Sequence, residues 1–252
     1  LLFSKVREAF GGCMEFFVGG GALLDTELQR FFYAIGIPMF QGYGLSEATP
    51  VISTNSPKHH WNRFGSSGKI LIPLDLKILD EEGNEVPRGT KGEIVIRGEN
   101  VMAGYWKNPE ATAETVRDGW LHTGDMGTVD PDGTLYIRGR SKTMILTGSG
   151  QNIYPEEIED KLNNMYLVLE SLVLEHNGKL HALVVPDYEQ AEREGIDKND
   201  LPQIMENNLK ELNTVVAGYE HVAAITIYPT EFEKTPKRSI KRYLYNVTLL
   251  GK

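Results

Sequence analysis

The chain has 252 residues, 40% of them apolar, with 26 Lys and Arg against 35 Asp and Glu and a formal net charge of −9 at pH 7. That is apolar material for one or two cores and the wrong overall sign for a nucleic-acid surface, and no apolar stretch reaches the roughly 20 residues of a membrane span. The single cysteine, Cys13, excludes an internal disulfide, suits a reducing cytoplasmic compartment and reads as a small buried hydrophobe.

Residues 1–62 read as strand, helix, strand. The apolar run Phe16, Phe17, Val18 leads into Gly19, Gly20, Gly21 and Ala22. Glycines after a strand let the backbone approach a flat ring or a phosphate where a Cβ would clash, although a plain strand-to-helix turn uses them too. An amphipathic helix is predicted over residues 25–33 and a second apolar run covers 35–40, the pattern of the end of a doubly wound α/β layer. Then comes Gln41-Gly42-Tyr43-Gly44-Leu45-Ser46-Glu47, read as a glycine-loosened turn. Tyr43 offers a ring for a base, Ser46 a hydroxyl for a phosphate oxygen, and Glu47 a carboxylate for Mg²⁺, which takes few protein carboxylates and several water or phosphate oxygens. Core packing of Tyr43 and a helix-start charge at Glu47 are the plainer alternatives.

Residues 63–139 change character. Short strands at 74–79, 92–97 and 135–138, separated by turns such as Glu82-Gly83-Asn84, suit a distorted β-barrel. A helix at 108–114 interrupts them, with Asn108 as N-cap and Pro109 in the first turn. The stretch from Trp120 to Arg140 is the most informative. Its turn, Asp132-Gly133, sits between runs at 126–129 and 134–137, so Asp125 and Arg140 are expected at neighbouring strand ends. A carboxylate there can accept both hydroxyls of a ribose, and the guanidinium beside it can fork onto the same sugar or a phosphate. A solvated hairpin with an ordinary ion pair has the same sequence signature.

Residues 140–252 read as a small α+β domain. The loop Gly148-Ser149-Gly150 precedes a helix that Pro155 opens and that carries acids in its first turn. A hairpin turns at Asn177-Gly178 between strands at 171–175 and 179–185, and a second helix covers 201–213. From Glu233 to Arg242 the chain becomes basic, either a solvated tail or a cationic arm for a polyphosphate. There is no internal repeat and no low-complexity tract.

Eight segments in order, GGGA, QGYGLSE, GSSGKILIP, GEIVIRGENVMAGYWKNPEAT, WLHTGD, IRGRSKTMI, GQNIYPEEIE and KTPKRSIKR, resemble the adenylate-forming superfamily of acyl-CoA synthetases, luciferases and adenylation domains. The likeness is nearest to its long-chain fatty acid CoA ligase branch. The resemblance implies carboxylate activation by ATP to an acyl-adenylate, then rotation of a small C-terminal domain and transfer of the acyl group to coenzyme A. Adenylation with a different acceptor, or nucleotide binding without catalysis, are the alternatives. The implied partners are fatty acid, ATP with Mg²⁺, and CoA, with no nucleic acid, in the cytoplasm; peripheral membrane contact stays open.

Carried over residue by residue, the resemblance puts Gly20, Gly21 and Ala22 on one side of the adenine and Tyr43 on the other, within a Gly42–Gly44 nucleotide segment. Ser46 is implied at the α-phosphate, Glu47 at Mg²⁺, Asp125 on the ribose diol with Arg140 supporting it, Lys142 at the hinge, and Gly148, Ser149 and Gly150 along the CoA arm. Two departures stand out. The superfamily's Ser/Thr/Gly-rich triphosphate loop is not in this sequence, so the chain reads as the C-terminal part of a longer enzyme, inactive alone. Members also place a lysine three residues after the proline of a Thr-Pro pair, where this chain has Ser239 after Thr235-Pro236. Lys237 and Lys241 flank it by two residues, on one face if the segment is extended, and are the candidate catalytic stand-ins, Lys237 slightly preferred.

Overall fold

The computed structural model describes residues 3–57, 62–146, 151–235 and 239–246. The chain divides into two compact units, Leu1–Ser141 and Lys142–Lys252. Among the described residues no helix is long and apolar enough to cross a membrane.

The first unit opens with α1 (Ser4–Ala9), β1 (Phe17–Gly19), α2 (Thr26–Ala34) and β2 (Met39–Gly44). α2 starts where it does because Asp25 caps it, its carboxylate accepting from Leu28 N at 2.6 Å. β1 and β2 pair in parallel across this helical connection, as an α/β layer requires. The remaining strands are β3 (Val51–Thr54), β4 (Gly68–Ile70), β5 (Asp75–Leu79), β6 (Gly92–Arg97), the two-residue β7 (Val116–Arg117), β8 (Trp120–Val129) and β9 (Thr134–Arg140). They pair antiparallel and continue the same sheet in the order β1-β2-β3-β4-β9-β8-β6-β5, with β7 on β8. The strands of the barrel-like region thus share one hydrogen-bonded sheet with the α/β layer, and among the described strands that sheet is not a closed barrel. α3 (Pro109–Thr115) is capped by Asn108, whose side chain accepts from Ala111 N. Ile52, Ile94, Ile96, Leu121 and Leu135 are fully buried and form the centre of this unit.

Two expectations change. Gly42-Tyr43-Gly44 is strand, the second half of β2, rather than a loosened turn. A Cβ on Gly44 would stand 1.8 Å from Pro50 O, so glycine is needed there because β3 bulges against it, not because the chain must bend. Cys13 is exposed. It sits in the irregular link between α1 and β1, after Gly11 and Gly12 with positive φ, a segment with no core to face.

The second unit contains the small hairpin β10 (Ile145–Leu146) and β11 (Asn152–Ile153), then α4 (Pro155–Asn163), β12 (Val168–His176), β13 (Lys179–Pro186), α5 (Tyr188–Glu194), α6 (Leu201–Val215) and β14 (Val222–Ile227). β12 and β13 form the hairpin expected from Asn177-Gly178, both turn residues having positive φ. β14 adds to β13 in parallel after the α6 crossover. Neighbouring residues of a strand face opposite sides, and here Val173 points into a core shared with Ile158, Leu162, Met205 and Leu212, while Leu172 points into a second cluster with Leu183, Val185 and Phe232. Helices cover the first face. The C-terminal segment covers the second through Phe232 and Tyr245.

Candidate functional site

Asp125 and Arg140 are register partners, but only Arg140 ends its strand: Asp125 lies in the middle of β8, not at the strand end expected, because β8 runs back to Trp120 to pair with β6 and β7. Arg140 Nε lies 3.0 Å from Asp125 Oδ1, and the Tyr43 hydroxyl donates to Oδ2 at 2.7 Å. The carboxylate is only 4% exposed, and its pKa is raised by burial, with the Tyr43 hydrogen bond and the Arg140 charge pulling the other way. Burial, and next the neighbouring Asp125 charge, push the Tyr43 phenol far above its usual range, which keeps it a donor. A carboxylate has about four lone-pair sites, so two accepted bonds leave capacity for a diol. The stretch of β8 leading into Asp125 is braced by side chains of its own strand and of β6. Glu93 accepts from Gly124 N at 3.1 Å and from His122 Nδ1 at 2.9 Å, while Thr123 Oγ1 donates to Ile94 O at 2.7 Å and accepts from Asp125 N at 3.1 Å.

The Gly20–Ala22 loop is held over β2 by Gln41. Its buried side chain donates to Ala22 O at 3.0 Å and Gly42 O at 2.9 Å, and accepts from Leu24 N at 2.8 Å. Asn55 fixes Gln41 from the other side, sending both its backbone N–H and its side-chain amide to Gln41 O. A Cβ on Gly20 would meet nothing closer than Gly42 O at 3.7 Å. Packing therefore does not demand glycine there, unlike at Gly44.

Ser46 is exposed and Glu47 half-buried, both in a short 3₁₀ turn, Ser46–Ala48, that follows β2. Tyr105 donates its hydroxyl to Glu47 Oε1 at 2.8 Å, and Met102 N donates to Glu47 O at 2.8 Å, so the loop before α3 orients this residue. No group of three or more His, Cys, Asp or Glu able to hold a metal occurs among the described residues.

In the second unit, Lys142 is exposed in a 3₁₀ turn at Ser141–Thr143, the first residue past the division between units. Gly148, Ser149, Gly150 and Lys237 lie outside the described residues. Lys241 does not simply share an extended face with Ser239. Thr235 N donates to Ser239 O at 2.8 Å, Lys241 N donates to Glu233 O at 2.9 Å, and Lys241 Nζ rests 3.2 Å from the Glu233 carboxylate, because the segment folds back on itself.

The model of the AMP-binding enzyme family matches residues 3–106, which include the Gly20–Ala22 loop, Tyr43 and Glu47. The chain carries an AMP-binding domain of the adenylate-forming superfamily. The chain is 45% identical over 143 residues to a feruloyl-CoA synthase of Amycolatopsis sp, covering 57% of this chain and 29% of that protein. It is 32% identical over 262 aligned residues to a long-chain-fatty-acid–CoA ligase of Mycobacterium bovis, covering 96% of this chain and 42% of that protein. It is also similar to the ATP-bound crystal structure of MatB from Rhodopseudomonas palustris, with a TM-score of 0.78 and 30% identity over 94% of this chain and 46% of that one. The chain spans less than half the length of each of these three.

The structure brings Tyr43, Asp125 and Arg140 into one hydrogen-bonded set. Several supporting residues were not singled out by the sequence: Gln41 and Asn55 behind the glycine loop, Glu93 and Thr123 behind Asp125, and Tyr105 on Glu47. Gln41 and Tyr105 lie inside the family-like segments QGYGLSE and GEIVIRGENVMAGYWKNPEAT, and that placement was the available signal.

Proposed function

We propose that this chain supplies the nucleotide-handling residues of an ATP-dependent ligase that adenylates a long-chain fatty acid and transfers the acyl group to CoA. The observation that carries this reading is the shared carboxylate of Asp125, desolvated and bonded at once by Tyr43 and Arg140. That arrangement suits a ribose diol beside an aromatic ring. Gly20, Gly21 and Ala22, tethered by Gln41, form the opposite wall for the adenine, with Gly42 and Gly44 on the strand segment that carries Tyr43, packed against β3. Ser46 meets the α-phosphate.

A lone Glu47 carboxylate fits Mg²⁺, an ion that keeps most of its ligands as water and phosphate oxygens. When bound there, Mg²⁺ offsets the repulsion between the attacking carboxylate and the triphosphate. In the first half-reaction a fatty-acid carboxylate oxygen bonds to the α-phosphorus and pyrophosphate leaves. In the second the CoA thiol attacks the acyl carbonyl, its proton is lost and AMP leaves. Lys142 is the pivot between the two, Gly148, Ser149 and Gly150 line the pantetheine arm, and Lys237 or Lys241 supplies the cation for adenylation.

Long-chain specificity is supported by the extent of the match, which for the mycobacterial long-chain ligase covers 96% of the chain and for the feruloyl-CoA synthase 57%. Such an enzyme works in the cytoplasm, with peripheral contact where its substrate partitions into membrane. The test is ATP–pyrophosphate exchange and thioester formation by the product of the complete open reading frame, with palmitate, ferulate and an amino acid compared. Exchange driven by palmitate with transfer to CoA is expected. Exchange driven by ferulate or an amino acid alone, or exchange with no CoA transfer, overturns the reading.

A further inference from the structure

The described parts of residues 232–246 are tied to the rest of the second unit by two carboxylates, Glu170 and Glu159, and a third, Glu233, pairs within the segment itself. Glu170, on β12, accepts from Phe232 N at 2.7 Å and pairs with Lys234 Nζ at 2.7 Å. Glu233 holds Lys241 Nζ, and Lys234 bridges Ile240 antiparallel, so the segment is a hairpin whose two limbs are bonded to each other. The returning limb is anchored by Arg242. Its Nη1 donates to both oxygens of Glu159, on α4, at 2.7 and 2.9 Å, and its Nη2 donates to Val173 O, on β12, at 2.6 Å. Glu159 also accepts from Val173 N at 2.6 Å.

A planar guanidinium can serve a carboxylate and a carbonyl in one plane, which an ammonium cannot. Arg242 therefore locks the residue beside Lys241 to a helix and a strand at once. The two half-reactions differ in their need for this. Adenylation brings a carboxylate anion against a triphosphate, where a fixed cation lowers the barrier. Thiol attack on an acyl-adenylate takes place at a neutral carbonyl carbon. Resting on the proposed function, we propose that Arg242, through Glu159, is a positioning residue for adenylation: it holds the lysine-bearing hairpin in register and is not needed for thioester formation.

The test uses Arg242→Met and Arg242→Lys in the complete reading frame, with three readouts: pyrophosphate exchange, thioester formation from synthetic acyl-adenylate and CoA, and amide exchange at Lys241 in the 252-residue chain. Arg242→Met is expected to slow pyrophosphate exchange about tenfold or more, as loss of a preorganised charge does. Thioester formation should stay within about threefold, and Lys241 N–H should lose protection while the Leu172 and Leu183 amides remain protected. Arg242→Lys, which keeps the charge without the fork, should show a smaller loss confined to the same half-reaction, and it decides the matter if the Met variant does not fold. Equal losses in both half-reactions, unchanged pyrophosphate exchange, or undiminished protection of Lys241 overturns the proposal. Absence of exchange in the unmutated protein counts against the proposed function, whereas the amide readout still tests what Arg242 holds.

Discussion

The two units each bury a carboxylate beside an arginine, and they do it for different ends. Asp125 is 4% exposed, yet its partner Arg140 has a side chain 63% exposed and touches it through Nε. Glu159 is 8% exposed, its partner Arg242 is 21% exposed, and both carboxylate oxygens and the adjacent backbone N–H and C=O of Val173 have partners. The first pair can trade a partner for a ligand without opening a core. The second cannot, because Glu159 sits on α4 bonded to β12 and its desolvation is offset only while every acceptor is filled. On the proposed function, the same chemistry serves recognition where the guanidinium stays in water and architecture where it does not.

If Glu159 is architectural, Glu159→Ala strips Arg242 and Val173 N of their acceptor together and should cost about 3–5 kcal/mol, the usual result of breaking a buried pair from one side. Urea denaturation followed by amide exchange in β12 and β13 measures it, and a loss under about 1 kcal/mol would place the pair among weak surface bridges. The same residue predicts a pH dependence. Burial pushes the Glu159 carboxyl from 4.5 up to about 7, against the pull of Arg242 and the Val173 N–H. In that window the folded state holds a proton the unfolded chain has released. The group's contribution is therefore full below about pH 4.5 and is lost as pH rises through about 7, a change on the order of 3 kcal/mol. Stability of the wild type and Glu159→Gln compared from pH 4 to 8 reads this directly, and parallel curves would remove it.

Asp125 should behave in the opposite way. Asp125→Ala is expected to weaken ATP binding at least tenfold, about 1.5–3 kcal/mol for lost charge-assisted bonds, with far-UV circular dichroism unchanged. Unaltered affinity in a folded variant would return Asp125 and Arg140 to the status of an ordinary hairpin pair. The smallest expected effect separates two glycines. Gly44→Ala puts a Cβ into Pro50 O and should cost about 1–3 kcal/mol of stability. Gly20→Ala, with its nearest neighbour at 3.7 Å, should leave stability within about 0.5 kcal/mol and weaken only nucleotide binding. A destabilised Gly20→Ala would mean that this loop is packing and not a wall for the adenine.

Much of the local structure was legible because its causes are local. Asp25 and Asn108 cap their helices, Pro155 opens α4, and Asn177-Gly178 turns a hairpin, each through bonds or dihedrals reaching a few residues along the chain. That Asp125 and Arg140 lie close on one hairpin was readable from its turn, but their pairing depends on a bulge at Met126–Gly127, without which Asp125 would face Gly139. Glycine was less legible. Gly44 and Gly20 look alike in sequence, yet a β-strand bulges against one while the other has only an ordinary contact at 3.7 Å, and only the neighbouring chain distinguishes them.

By itself, the order of motifs determined the superfamily, the alternation of α/β and β-rich regions, and the acid and base on one hairpin, because these depend on residue type and short spacing. Only the tertiary structure decided that Tyr43, 82 residues before Asp125, donates to the same carboxylate, that Gln41 tethers the glycine loop, and that Arg242 reaches back 83 residues to Glu159. A hydrogen bond is directional and reaches about 3 Å, so which distant polar groups meet is settled by how sheets and helices pack, and no local pattern in the chain encodes that.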